Sequence, residues 1–149
     1  METLTPPQKT KKGLKIYNPI VTINNNAKVE ILAINLDENY TIIDFIYYPP
    51  HYYENGGWVQ INSDTYIRSV GTSQKLKLIK AVNIPITPQK HYFKSSKAML
   101  AYTLYFPAVP KSCKEIDIIE CNNGRIGNWF NFYGVSMEKI RTEPLIVNN

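Results

Sequence analysis

Lys28–Leu36 (KVEILAINL) and Tyr40–Tyr48 (YTIIDFIYY), separated by Asp37-Glu38-Asn39, decide the fold. Both runs are rich in β-branched and aromatic residues, which suit a pleated, half-buried surface. A short polar break between two such runs reads as a hairpin. In the second run Ile42, Asp44, Ile46 and Tyr48 share one face, and Thr41, Ile43, Phe45 and Tyr47 share the other. A carboxylate is costly to bury, so the face with Asp44 is the outer one. Thr41, Ile43, Phe45 and Tyr47 are expected in a core.

Outward from this hairpin the two-residue period recurs. Leu14–Ile23 reads as an edge strand interrupted at Asn18-Pro19, because proline removes a ladder donor. Trp58–Asn62 and Thr65–Val70 are short strands. Lys75–Val82 alternates, with Leu76 and Leu78 inward and three lysines outward. Ala98–Phe106 sets Leu100, Tyr102, Leu104 and Phe106 on one side, and Glu115–Glu120 and Trp129–Val135 complete the series. Pro85–Ser96 reads as a long polar connection, Asn122–Asn128 as a turn, and Met137–Arg141 as one terminal helical turn. No segment sustains the roughly 3.6-residue apolar period of a helix for three turns. About seven to eight short strands at spacings of roughly 8–12 residues predict an all-β antiparallel sandwich or barrel. Residues 1–13 are expected as a flexible basic arm, 14–137 as the sandwich domain, and 138–149 as a C-terminal tail or truncated linker.

The bulk composition fits one domain. The chain has 149 residues, 44% hydrophobic and 19% charged, with 11 tyrosines. Its net charge is +5, but the dense basic run, Lys9, Lys11, Lys12 and Lys15, lies in the arm and just after it, and Lys75, Lys77 and Lys80 lie among Leu and Ile. Specific nucleic-acid binding is therefore not expected. The ends of a Cys113–Cys121 strand would stand about 25 Å apart at about 3.3 Å per residue, beyond the reach of about 7 Å between Cα atoms of a disulfide. Two free thiols are expected. No stretch approaches the roughly 18 apolar residues of a membrane span. Met1–Lys12 lacks the apolar core of a leader peptide, which fits a chain whose leader has been removed and leaves a cytoplasmic location open.

Catalytic motifs do not emerge. His51 and His91 fall in predicted loops, and neither has a nucleophile motif beside it. There is no C-x-x-C or H-x-x-x-H for zinc, and no glycine-rich phosphate cradle. Asp117 and Glu120, three apart in a strand, lie on opposite faces and do not suit paired acid–base work, whereas one of them suits holding a loop by accepting backbone N–H bonds. Neither an enzyme nor a cofactor or metal site is expected. The best binding candidate is the aromatic loop: Tyr48, His51, Tyr52, Tyr53 and Trp58, between Pro49-Pro50 and Gly56-Gly57. Tyr and Trp combine apolar area with a polar tip, which suits sugar stacking or protein contacts. Trp58 is expected to be structural, and Tyr52 and Tyr53 exposed.

Three blocks carry a resemblance. They are Trp58-Val59-Gln60-Ile61 with Asp64-Thr65-Tyr66-Ile67-Arg68, then Lys77-Leu78-Ile79-Lys80-Ala81 before Ile84-Pro85, then Tyr105-Phe106-Pro107-Ala108-Val109-Pro110-Lys111 with Ile116-Asp117-Ile118-Ile119-Glu120 and Trp129–Val135. Their order resembles a family of immunoglobulin-like β-sandwich domains in envelope proteins of Gram-negative bacteria of the Bacteroidetes type. The resemblance covers roughly residues 28–137. It implies an immunoglobulin-like sandwich, a periplasmic or cell-surface location, and attachment to a separate domain, with no known activity and no functional residues to carry over. Cys113 and Cys121 depart from the pattern, which has Thr or small residues there. The expected function is a non-catalytic protein-binding or spacer module, its partner another protein or a missing domain of the same chain. The alternative is a carbohydrate-binding module that stacks glycan on the Tyr/Trp loop.

Overall fold

The computed structural model describes residues 14–26, 28–49, 57–121 and 129–140. The basic arm, the Asn122–Asn128 turn, and the tail from Arg141 lie outside the described residues. The first six strands are Leu14–Tyr17 (β1), Pro19–Asn24 (β2), Val29–Leu36 (β3), Tyr40–Tyr47 (β4), Trp58–Val59 (β5) and Tyr66–Ser69 (β6). The next six are Leu76–Lys77 (β7), Lys80–Val82 (β8), His91–Tyr92 (β9), Leu100–Pro107 (β10), Glu115–Ile119 (β11) and Phe132–Ile140 (β12). Among the described residues there is no helix.

One five-stranded sheet has the order β1-β3-β4-β10-β8, a second β2-β12-β11-β6-β7, and β5-β9 is a two-stranded ribbon. Every ladder between named strands is antiparallel. The β3–β4 hairpin pairs Ile34 with Ile43 and Val29 with Tyr47, with a register shift between Ile31 and Ala33. Its core face is the one read from the sequence: Thr41, Ile43, Phe45 and Tyr47 are buried, whereas Ile42, Asp44 and Ile46 are half-buried. Leu100, Tyr102, Leu104 and Phe106 of β10 are buried beside them. The two large sheets meet in one core, where Phe45 stacks on Tyr102 at 5.0 Å and reaches Phe132 of the other sheet at 5.8 Å. Burying a phenylalanine of this kind contributes about 2–3 kcal/mol.

The strand count departs from the expectation of seven to eight because two runs change sheets midway. Asn18 has φ 47, a left-handed conformation that Asn tolerates better than most residues. Its N–H donates to Leu32 O at 2.9 Å. Pro19 then begins β2 at the edge of the second sheet, where its missing donor matters least. In Lys75–Val82 the switch falls between adjacent residues: Leu78 N–H donates to Thr65 O and Ile79 N–H to Tyr105 O. The ribbon pairs β5, which lies within the expected Trp58–Asn62 strand, with one further short strand, β9.

Two other readings are corrected. Met137–Ile140 is strand, not a helical turn. Met137 is buried and its N–H donates to Lys114 O at 2.8 Å, so cross-strand pairing overrides the helical tendency of Met-Glu-Lys. The last strand thereby carries the sheet three residues beyond the expected boundary at 137. Pro85–Ser96 is not merely a polar connection: it holds β9 and the core residue Phe93, and Ile84 just before it is also in the core. Among the described residues, no helix is long and apolar enough to cross a membrane.

Candidate functional site

The ribbon caps one end of the sandwich. Trp58 pairs with Tyr92 and Val59 with His91. Alternation then sorts the side chains: Val59 is buried, whereas Trp58 and Tyr92 are 46% and 66% exposed. The two exposed rings are cross-strand neighbours, whose Cβ atoms stand about 5 Å apart in such pairs. Lys90 places its Nζ 4.5 Å from the centre of the Trp58 ring. On the inner side Phe93 stacks on Tyr47 at 5.4 Å, and the His91 ring meets Phe93 edge-on at 4.8 Å. Backbone bonds hold the ribbon: Phe93 N–H donates to Gly57 O, Ile61 N–H to Pro85 O, and Thr87 N–H to Ile61 O.

Of the residues expected in the aromatic loop, His51, Tyr52 and Tyr53 lie outside the described residues. Tyr48 is half-buried, and its N–H donates to Lys28 O at 2.7 Å. Trp58 was expected to be structural, but its ring faces solvent, because the inward position of its strand belongs to Val59. The structure joins Trp58 to Tyr92 and Lys90, which the sequence reading missed. A two-residue strand is too short to show a period. The alternation in Lys90-His91-Tyr92-Phe93 was the available signal.

Beneath the ribbon lies a buried polar bracket. The Glu120 carboxylate accepts from Asn62 N–H at 2.9 Å and from Phe130 N–H at 2.8 Å. Asn131 completes it: Oδ1 accepts from the N–H groups of Glu120 and Cys121, and Nδ2 donates to Cys121 O. Burial pushes the Glu120 carboxyl up to about 7, against the lowering effect of the two amides. Burial likewise raises the Tyr102 hydroxyl, and the Glu120 and Tyr47 charges add to it. Asp117 is also occupied, by Arg68 Nε and Gly134 N–H, each at 3.0 Å. Both carboxylates therefore accept backbone N–H bonds, Glu120 from residues 62 and 130 outside the strands, as expected of one of the pair, and Asp117 from strand β12.

No protein-family model, curated protein or solved structure matches the chain. The site is therefore interpreted from its own chemistry. Cys113 and Cys121 are free, half-buried thiols. Among the described residues, no three His, Cys, Asp or Glu side chains gather as a metal site would need. What the ribbon offers chemically is two exposed rings on paired positions, one of them with a cation over its face.

Proposed function

We propose that this chain is a non-catalytic, immunoglobulin-like binding module of a bacterial envelope protein, periplasmic or at the cell surface, with the β5–β9 ribbon as its recognition surface. The observation that carries the reading is the exposure of Trp58 and Tyr92 as direct cross-strand partners. Large rings gain by burial, so two left in water side by side favour a partner that covers them.

Strand order supports the immunoglobulin-like assignment. With β6, β7, β11 and β12 taken as C, C′, F and G, the second sheet has the neighbour order of a C-F-G sheet with C′ added. The first sheet then reads A-B-E-D with one extra strand, β4, between B and E. The envelope assignment rests on the resemblance of the Trp58, Lys77 and Tyr105 blocks.

The ribbon favours glycan over protein as partner, since stacking needs rings and little else. A second reading, contact with another protein or with a missing domain of the same chain, is favoured by the β1 and β2 edges, where Tyr17, Ile20 and Ile23 are exposed. A glycan array run with the wild type and a Trp58→Ala/Tyr92→Ala variant tests the first. Glycan should be retained by the wild type and lost by the variant, with the variant still folded and its melting temperature lowered by only a few degrees, on the order of 1 kcal/mol. A wild type that retains none, or a variant that retains it, moves the reading to those edges.

A further inference from the structure

We propose that the partner of the Trp58–Tyr92 platform is an anionic glycan, a saccharide chain bearing carboxylate or sulfate groups. This rests on the ribbon being the recognition surface and adds the chemistry of what it takes.

The charge distribution points there. Between Asp64 and Glu115 the chain carries eight lysines and one arginine with no Asp or Glu, leaving eight basic residues against 12 acidic ones elsewhere. The net positive charge thus belongs to this stretch more than to the N-terminal arm. The second strand of the ribbon lies within it. Lys90, Lys94 and Lys97 are all exposed and lie within five residues of Tyr92 along the chain. Charges of one sign raise the local concentration of the opposite sign, and here they flank the exposed Tyr92 in sequence, with Lys90 over the Trp58 ring.

The placement of Lys90 fits a sugar. Its ammonium sits over the indole, an attraction to the ring face that holds a long side chain in one place. A pyranose stacked by its C–H face on the neighbouring Tyr92 would bring a ring carboxylate or sulfate towards that ammonium. An acidic peptide fits less well. Adding a strand to the ribbon would engage strands of two residues each, too short a ladder for β-augmentation. Single-stranded nucleic acid also stacks on rings, but it is held by a basic groove that tracks successive phosphates, and what the ribbon shows is one lysine, Lys90, over a ring.

Titration of the full chain with oligogalacturonate, a heparin-derived hexasaccharide, a neutral cello-oligosaccharide, polyglutamate and oligothymidine, followed by tryptophan fluorescence and calorimetry, tests the proposal. At least one acidic glycan should bind, and the neutral one at least ten-fold more weakly. Lys90→Ala should weaken the acidic glycan about ten-fold and flatten its salt dependence, with Lys90→Arg retaining most of it. Tyr92→Ala should abolish it, thermal melts showing each variant folded. Equal binding of neutral and acidic glycans overturns the anionic inference but leaves the ring platform standing. Binding of polyglutamate or oligothymidine that survives Tyr92→Ala, with no glycan bound, overturns both. Failure of both acidic glycans overturns the inference alone if the array still finds a neutral glycan that depends on the rings.

Discussion

The Glu120 bracket and the Trp58–Tyr92 ribbon are joined by residues 59–62, and they invert the usual distribution of side chains. The bracket buries a carboxylate and an amide at 6% exposure each, whereas the ribbon leaves an indole and a phenol in water. Folding accounts for the first. Residues 62 and 130 are fastened to residue 120 by the carboxylate, and buried backbone groups need partners. Folding gives no account of the second, since exposed rings add little to stability. A buried polar group therefore marks architecture here, and an exposed apolar pair marks recognition.

Asn131→Ala should break the bracket with the largest effect. It removes three hydrogen bonds and orphans buried backbone groups of residues 120 and 121, at about 1–3 kcal/mol each when left unmade. A loss of about 4 kcal/mol in urea unfolding is expected. A loss below about 1 kcal/mol would show that the bracket holds nothing.

The bracket also titrates. The Glu120 carboxyl is raised from 4.5 to about 7 in the folded chain, so between those values the folded state binds more protons than the unfolded one. Its contribution is fully present below pH 4.5, is lost as pH rises towards 7, and then levels off. The loss amounts to about 3 kcal/mol. Glu120→Gln does not titrate, so the stability difference between wild type and variant should shift in the wild type's disfavour by about that amount between pH 4.5 and 7.5. A difference that stays constant with pH would place the carboxyl in water.

How much of this was legible follows from segment length. The eight-residue strands β3, β4 and β10 showed their buried faces in the sequence because several alternations fit in each. The role of Glu120 was half legible. Its spacing from Asp117 excluded a shared face, but its amide partners at 62 and 130 are set by folding alone. Of Tyr92 and Lys90 only the alternation in residues 90–93 was legible; their pairing with Trp58 was not, since β9 is two residues long and its partner β5 lies far earlier along the chain. The sheet switches at 18 and 78 were hidden for a different reason. At each change the inward phase slips by one residue, from Ile16 to Pro19 and Val21 and from Leu78 to Ala81, and a single slip inside so short a run does not stand out from the two-residue period.

A second polar fastening, Asp117 with Gly134, sharpens the contrast. Gly134 has φ +65, and a Cβ there would lie 2.6 Å from Thr22 Oγ1. Gly134→Ala should destabilise by about 2 kcal/mol, part from the left-handed backbone and part from the contact. Adding Thr22→Gly should recover the steric part only. Full recovery would mean that the backbone conformation adds no strain.

The smallest effect is expected at the ribbon, and it decides the comparison. Trp58→Ala removes a half-covered ring and its contact with Lys90, so a loss of about 1 kcal/mol is expected. Tyr92→Ala should fall within about 0.5 kcal/mol, the range for ordinary surface positions. Its ring is two-thirds exposed, and its backbone pairing with Trp58 survives the substitution. Thermal unfolding of the single variants separates the outcomes. If Tyr92→Ala costs 2 kcal/mol or more, the ring is a structural cap and exposed apolar area in this fold no longer signals a partner. If it melts with the wild type, Tyr92 does nothing for folding, and whatever the variant fails to bind measures what the ring is for.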